Sequence, residues 1–554
     1  MVYMRFVAQR LFDTAMAGHA AEWYAISKAE GLALGNRGQM RKIAENLRAL
    51  QRGLTGDRAR IASGYMDDTS ALQAYLLYYW PVSFYETAAV LAELAARRVL
   101  PNIQTVLDLG SGPGPGSFAA SLFGAKRAVL VDASRAALDA ASRIAEKGRQ
   151  GGVAGHGDLA GLASPAGLGG SGGQTGSSGP GGGVDELSGS IRQAGSGGRG
   201  GGVDELGGSI RQTGTGGRDG VDEMGGSIRP AGTGGRGGSA GRGGGVAGPS
   251  DLSIEISTLA LDLQDFSVDV LSRFSSTSKE ALAQAPCEPC FDLIIASHSI
   301  NELWPDEPER IELRRNMLLS LLPALREGGI LLIIEPSAHY TSIPLLALRD
   351  SLLEAARSSE RENFIASAEA SATSVTKHAA AHLFCVGPCP HSAPCPMRAI
   401  GNRPCFSEWK WDAPRLVREL AEMAGLDRSS LKASWVAFQR TGEKLGTDST
   451  KELNTVFARQ AASSAISGRI VSEPMLNKAG RIRYIVCTAN GQLSTISAPQ
   501  SDPAAMRAEP GAPDFFNLAR GDLIQANELE ERGLSHFGII PSSSLKIIMK
   551  APRF

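Results

Sequence analysis

The segment Val106 to Gly116, VLDLGSGPGPG, limits what this chain can fold into more than any other stretch does. An apolar, β-prone run from Thr105 to Leu109 ends in glycines at 110, 112 and 114, and the helix-like GSFAASLF follows. Glycines at a strand-to-helix turn permit positive φ and a close approach of backbone to ligand, while the next helix offers free N–H groups. Short apolar runs then recur between helical stretches, as RAVLVDAS, LALDL, FDLIIAS and GGILLIIEPS. That alternation predicts an α/β fold with a parallel sheet and helices on both faces. In such sheets ligands bind in the crevice beyond the carboxyl ends of the strands.

The glycine rhythm by itself suits a dinucleotide as well. Pro113 and Pro115, however, stand where a dinucleotide loop keeps amides for pyrophosphate, and proline has none to give. Asp108 opens a D-x-G-x-G-x-G pattern that resembles the class I methyltransferases. The resemblance implies a Rossmann-like sheet that binds S-adenosylmethionine through Asp108, Gly110, Gly112 and Gly114. Asp132, about twenty residues on at the end of the second strand, is placed to accept from ribose hydroxyls. Asp262 closes LALDL where that family often holds the adenine amino group, and it reads equally well as a plain turn residue. FDLIIAS delivers Ser297 to Trp304, SHSINELW, to the substrate end of the sheet. It contains neither the Asn/Asp-Pro-Pro-aromatic set of amino methyltransferases nor a Pro-Cys nucleophile, so no catalytic residue is assigned.

Outside this core the composition changes sharply. Forty of the 67 glycines fall between Gly151 and Ser250, a block without Phe, Trp or Tyr. A unit such as GGGVDELSGSIRQAGSGGRG recurs there, with Val184, Val203 and Val221 marking the period. One Val, one Leu or Met and one Ile per unit cannot build a solenoid core, so residues 148–250 read as a disordered insertion. Arg199, Arg218 and Arg236 among the glycines suggest an RNA-binding tract, but acids balance the arginines and no aromatic is present to stack on a base. Residues 1–100 read as helical, interrupted at Pro81, with the aromatic YLLYYWPVSFY as a hinge packed on the next domain. Residues 101–147 and 251–445 form the methyltransferase-like domain. Residues 446–554, with Asn-Lys and Asn-Gly turns, read as a small β-rich region.

Seven cysteines are too sparse for a secreted disulfide scaffold, yet four lie in CVGPCPHSAPCPMRAIGNRPC, Cys385 to Cys405, within a cysteine-rich segment, 385–411. Thiolates at short spacing in Pro-rich loops can converge on a metal centre. Together, YLLYYWPVSF, DLGSGPGPG, SHSINELW, CPHSAPCPM, RPCFSEW and RIRYIVCT resemble the Rsm-twenty-two-like family of ribosomal small-subunit methyltransferase-like proteins, which includes a mitochondrial branch. The likeness runs from about Ser70 to Asp522 without the glycine block. It implies small-subunit assembly, contact with rRNA, and a [4Fe-4S] cluster on Cys389, Cys395, Cys405 and Cys487. The residues themselves leave zinc open as the alternative. His391 sits beside Cys389, Cys385 falls outside the matched set, and Cys287 and Cys290 form a CxxC without a second pair. The chain departs from the family at Phe406, where a histidine is usual, and at Arg520-Gly521-Asp522, where Trp-Gly-Asp is usual.

The reading at this stage is an S-adenosylmethionine-binding, iron-sulfur methyltransferase-like factor of the small ribosomal subunit. A methyltransferase for a protein or small molecule, or a binding module without catalysis, is the alternative. Lys+Arg 56 against Asp+Glu 57 gives no global field towards nucleic acid or membrane, so any RNA contact is local. The start MVYMRFVAQRLF lacks a secretory h-region and no apolar stretch is long enough to span a bilayer, which predicts a cytoplasmic protein, or a mitochondrial matrix one in a eukaryote.

Overall fold

The computed structural model describes residues 37–55, 65–151, 254–267, 270, 290–365, 383–400, 403–441, 465–500, 515–540 and 542–552. The expectations for the start of the chain, for nearly all of the glycine block and for Cys287 lie outside these residues. Among the described residues no helix is long and apolar enough to cross a membrane.

The first sheet has eight strands: β1 (Thr105–Leu109), β2 (Arg127–Asp132), β3 (Glu255–Ala260), β4 (Phe291–Ser297), β5 (Leu325–Pro336), β6 (Leu383–Gly387), β7 (Ser407–Lys410) and β8 (Ser430–Arg440). Their order is β3-β2-β1-β4-β5-β8-β6, with β7 also paired to β8. β1 to β5 are parallel, as their alternation with helices predicts. β8 runs antiparallel between β5 and β6, and β7 is antiparallel to it, so the sheet is mixed. An apolar run such as SLKASWVAFQR carries no sign of its direction, which is why composition alone does not give this reversal.

Alternate side chains of the central strands feed two cores. Val106, Leu293, Ile295, Ile330 and Leu332 face one, and Leu107, Leu109, Ile294, Leu331 and Ile333 face the other. This is the period-two pattern of strands covered on both faces. Helices α1 (Arg37–Thr55), α2 (Thr69–Ala74), α3 (Trp80–Ala96), α4 (Pro115–Ser121), α5 (Arg135–Gly151) and α9 (Arg415–Ala424) cover the first face. Helices α6 (Arg310–Leu321) and α7 (His339–Ile365) cover the second, while the one-turn α8 (Pro396–Ala399) lies in the cysteine segment. The chain order reverses between β1 and β4, so the crevice at their carboxyl ends is the topological switch point.

Pro81 does not break the N-terminal helical run. It follows directly on a π-helical turn, Tyr75–Tyr79, which links α2 to α3 without a gap and in which the Trp80 N–H reaches back to the Tyr75 carbonyl, so the helix runs on past the proline. The aromatic segment is therefore continuous helix and not a hinge. Its Trp80 donates from Nε1 to the carbonyl of Pro113 at 3.1 Å, tying the helix to the glycine loop.

A second sheet holds β9 (Ile466–Ile470), β10 (Met475–Leu476), β11 (Arg481–Thr488), β12 (Leu493–Pro499), β13 (Leu523–Asn527), β14 (Glu530–Gly533), β15 (His536–Gly538) and β16 (Ser544–Met549). Its own core centres on Ile470, Tyr484, Val486, Ile496 and Ile524. It joins the first sheet through a buried ion cluster. Arg469 on β9 pairs with Glu93 of α3, and Arg97 reaches the same carboxylate at 2.7 Å. Burial would raise the Glu93 carboxyl, but the two guanidinium groups hold it below its ordinary range.

Candidate functional site

The crevice at the switch point is built first from the glycine loop. Gly110 and Gly112 have φ of 62° and 52°, in the left-handed region. A Cβ on Gly110 would lie 2.3 Å from the Cβ of Ser299, so the loop and the segment after β4 meet at closest packing. Asp108 is 1% exposed and turns away from the crevice. Its Oδ2 accepts from the N–H of Ser117 at 2.9 Å and from the Ser117 hydroxyl at 2.8 Å, which anchors the first turn of α4. Burial pushes its carboxyl up to about 7, against the pull of the two Ser117 donors.

Asp132 stands at the end of β2, accepting from the Gly112 N–H at 2.7 Å and the Ser134 N–H at 2.8 Å. Burial raises its carboxyl, and the nearby charges of Asp67 and Asp262 add to the rise. Asp67 lies in a short turn, Tyr65–Asp67, and accepts from the Ser134 hydroxyl at 2.6 Å. Asp262 caps the 3-10 turn Leu263–Asp265 by accepting from the Gln264 N–H at 2.9 Å. Asp262 thus has the turn role, and its charge also acts on Asp132. Met66 and Tyr75 also reach the loop, within 4.0 Å of where a Cβ on Gly112 would sit. Asp67, Met66 and Tyr75 carry no motif, and only the aromatic concentration at Tyr75 to Tyr85 hinted that this region meets the loop.

The opposite wall is the segment after β4. His298 has φ of 60° and hydrogen-bonds through Nε2 to Glu86 Oε2 at 2.9 Å. Burial disfavours its charge, yet Glu86, Glu335 and Glu302 together raise its pKa above the ordinary value. The following turn is fixed from beneath. Buried Glu335 accepts from the Asn301 N–H at 2.9 Å and from its side-chain amide, and buried Arg314 donates to the carbonyls of Asn301 and Leu303. Ser299 donates to the Leu109 carbonyl at 2.8 Å. Nothing in the sequence pattern singled out Glu86, which lies on α3 far from this segment in the chain.

The cysteines form a separate pocket. Cys395, Cys487 and Cys405 pack with Leu346, Met397 and Val471 between α7, the cysteine loop and the second sheet. The charge of Cys389 raises Cys395, Cys405 and Cys487 in turn, so the four matched thiols share one neighbourhood, although burial is the larger cause for each. Cys385 lies on β6 and hydrogen-bonds to Cys389, which holds the Cys389 thiol well below its usual value. His391 Nε2 is 3.2 Å from Cys487 Sγ, facing that thiol across the pocket. Buried Arg349 donates to the carbonyls of His391 and Ala393 at 2.8 and 3.0 Å, and Asp350 accepts from the Cys395 N–H at 3.0 Å. Among the described residues no group of three or more His, Cys, Asp or Glu side chains is placed to hold a metal ion, so the arrangement does not bear out the metal centre that the cysteine spacing suggests. Cys290 lies elsewhere, against the second-face core. The Arg520 guanidinium sits 4.2 Å over the ring of Phe406, so two residues far apart in the chain meet.

No protein-family model matches the chain, and no curated protein matches its sequence. Among solved structures, the plantazolicin methyltransferase BpumL in complex with SAH is similar at 10% identity, covering 73% of this chain and 98% of that one, with a TM-score of 0.23. The glycopeptide N-methyltransferase MtfA complexed with S-adenosyl-L-methionine is similar at 13% identity, covering 64% and 93%, with a TM-score of 0.21. YcgJ protein from Bacillus subtilis is similar at 9% identity, covering 65% and 99%, with a TM-score of 0.23. At such TM-scores a functional assignment rests on the chain's own residues.

Proposed function

We propose that the chain is an S-adenosylmethionine-binding, methyltransferase-like protein that carries a [4Fe-4S] cluster and acts on the small ribosomal subunit. The observation that carries the cofactor assignment is the acidity of the crevice. The charges of Asp67 and Asp262 act on Asp132, and those of Glu302 and Asp132 act together on Tyr65 and Tyr75. Carboxylates at this density repel a pyrophosphate and attract a sulfonium cation. Together with Pro113 and Pro115, they favour S-adenosylmethionine over a dinucleotide.

Cys389, Cys395, Cys405 and Cys487 would hold the cluster, with Arg349 supplying positive charge beside the thiolates. Zinc would need the four sulfurs around one point, whereas a four-iron cluster gives each thiolate its own iron. The choice of the cluster over zinc follows the sequence resemblance, which implies the cluster. A cluster bound there would cross-link the cysteine loop to β11. The ribosomal role is supported by the sequence resemblance, with rRNA as the partner. The acidic crevice favours a second reading for the acceptor, a peptide or small molecule, because it repels a phosphate backbone; loss of catalysis would leave a binding module.

Anaerobic purification tests the cofactor pair. The expected product is brown, carries about four irons per chain, and loses the colour in Cys395→Ser. A colourless protein with one zinc overturns the cluster. Salt-sensitive co-sedimentation with 30S particles is the expected ribosomal result, and a chain that never leaves the soluble fraction contradicts it.

A further inference from the structure

We propose that His298 removes the proton from the methyl acceptor, that Glu86 holds its ring for this task, and that the acceptor is an O–H or N–H group in a neutral or cationic setting. The inference rests on the reading of the crevice as an S-adenosylmethionine site. His298 lies at the carboxyl end of β4, next to Ser299, which packs directly on Gly110 of the cofactor loop. Of its side chain 23% is exposed, and its Nε2 is engaged by Glu86. Nδ1 has no hydrogen-bond partner among the described residues.

The backbone supports a defined ring position. The left-handed conformation of His298 is uncommon for a residue with a side chain, though histidine tolerates it better than most. It is locked by the His298 N–H, which donates to the Ile334 carbonyl at 2.7 Å, and by the Glu335 and Arg314 bonds under Asn301. A surface ion pair would need none of this bracing. Glu86 itself is buried on α3, so its carboxylate orients the imidazole and stabilises the imidazolium, as the third member of a nucleophile–base–acid arrangement does.

The step balances. The acceptor atom attacks the sulfonium methyl carbon, the carbon–sulfur bond breaks, and its electron pair returns to sulfur, giving the neutral thioether. The acceptor proton passes to Nδ1 of neutral His298, while the Nε2 proton stays on the hydrogen bond to Glu86. The positive charge that leaves sulfur thus reappears on the imidazolium. Glu86 from α3, Glu335 from β5 and Glu302 from the same turn all face that charge. The same carboxylates disfavour phosphate or carboxylate next to the reacting atom.

The test uses the full chain with [methyl-3H]S-adenosylmethionine and, as acceptor pool, a whole-cell extract from cells lacking the chain. Calorimetry with the cofactor runs in parallel. H298Q is expected to bind the cofactor within about threefold of the parent and to lose on the order of 10²–10⁴-fold in label transfer, the usual weight of a general base. Transfer by the parent should rise with pH as the imidazole loses its proton. E86Q removes a negative charge, so that limb should move to lower pH while some transfer remains; this also gives a readout should H298Q fail to fold. Full transfer by H298Q, or an unshifted limb in E86Q, overturns the proposal. A parent chain that binds cofactor and labels nothing overturns it too, and leaves the cofactor reading standing. A parent that binds no cofactor sinks the crevice reading itself.

Discussion

The cofactor crevice and the thiol pocket are assembled in opposite ways. The glycine loop of the crevice comes from one continuous run, in which Asp108, Gly110, Gly112 and Ser117 fold back on each other within ten residues. The thiol pocket gathers Cys389, Cys395 and Cys405 from one loop, Cys487 from β11, and Arg349 and Asp350 from α7. A local motif can be shaped by backbone conformation alone. A pocket of remote parts exists only when the second sheet has docked on the first. The two sites should therefore respond separately to local substitutions and together to any change that undocks the sheets.

The largest expected effect is the joint one. Glu93→Ala leaves Arg97 and Arg469 buried without their carboxylate, a loss on the order of 3–5 kcal/mol. Denaturant unfolding should show it, with cofactor binding and iron content falling in parallel; loss of only one would break the comparison. Gly110→Val comes next, because a side chain there meets Ser299 and must hold positive φ. About 2–4 kcal/mol of strain and overpacking should weaken S-adenosylmethionine by roughly 30-fold or more while iron content stays at the parent level. Cys487→Ser should do the reverse, removing the iron with cofactor affinity within about threefold, as read by iron assay and calorimetry.

The smallest effect is on pH dependence. Asp108 has a folded pKa of about 7, against about 3.9 in an unfolded chain. The native state then binds the extra proton between those values, so this residue's contribution to stability declines as pH rises from about 4 towards about 7. Asp108→Asn should flatten that part of the curve of Tm against pH. An unchanged slope would show that Asp108 is not the group responsible.

Sequence reading reached the two sites unequally for the same reason. The strand–glycine–helix run announced the crevice, and alternating apolar runs announced the parallel strands. Asp108 shows the limit of a motif: the pattern places it with the cofactor residues, while the fold turns it inward onto Ser117. Pro81 shows the limit of a propensity, since the helix runs on through the π-helical turn that precedes it. Glu86 and Asp67 could not be found at all, because their importance comes from a packing of α3 and the Tyr65–Asp67 turn that no spacing encodes. Cysteine spacing drew attention to the segment from Cys385 to Cys405, whereas Cys487 entered only through the resemblance, and neither showed that Cys385 interacts with Cys389. Phe406 and Arg520, far apart in the chain, form one contact.

The proposed site for the sulfonium cofactor is the acidic, glycine-built crevice. Isothermal titration of the anaerobically purified chain with S-adenosylmethionine, and separately with NADH, tests it most directly. The expected result is saturable one-to-one binding of S-adenosylmethionine, lost in Gly112→Arg, and no heat with NADH. Binding of NADH, or titration of S-adenosylmethionine that Gly112→Arg leaves intact, would contradict it.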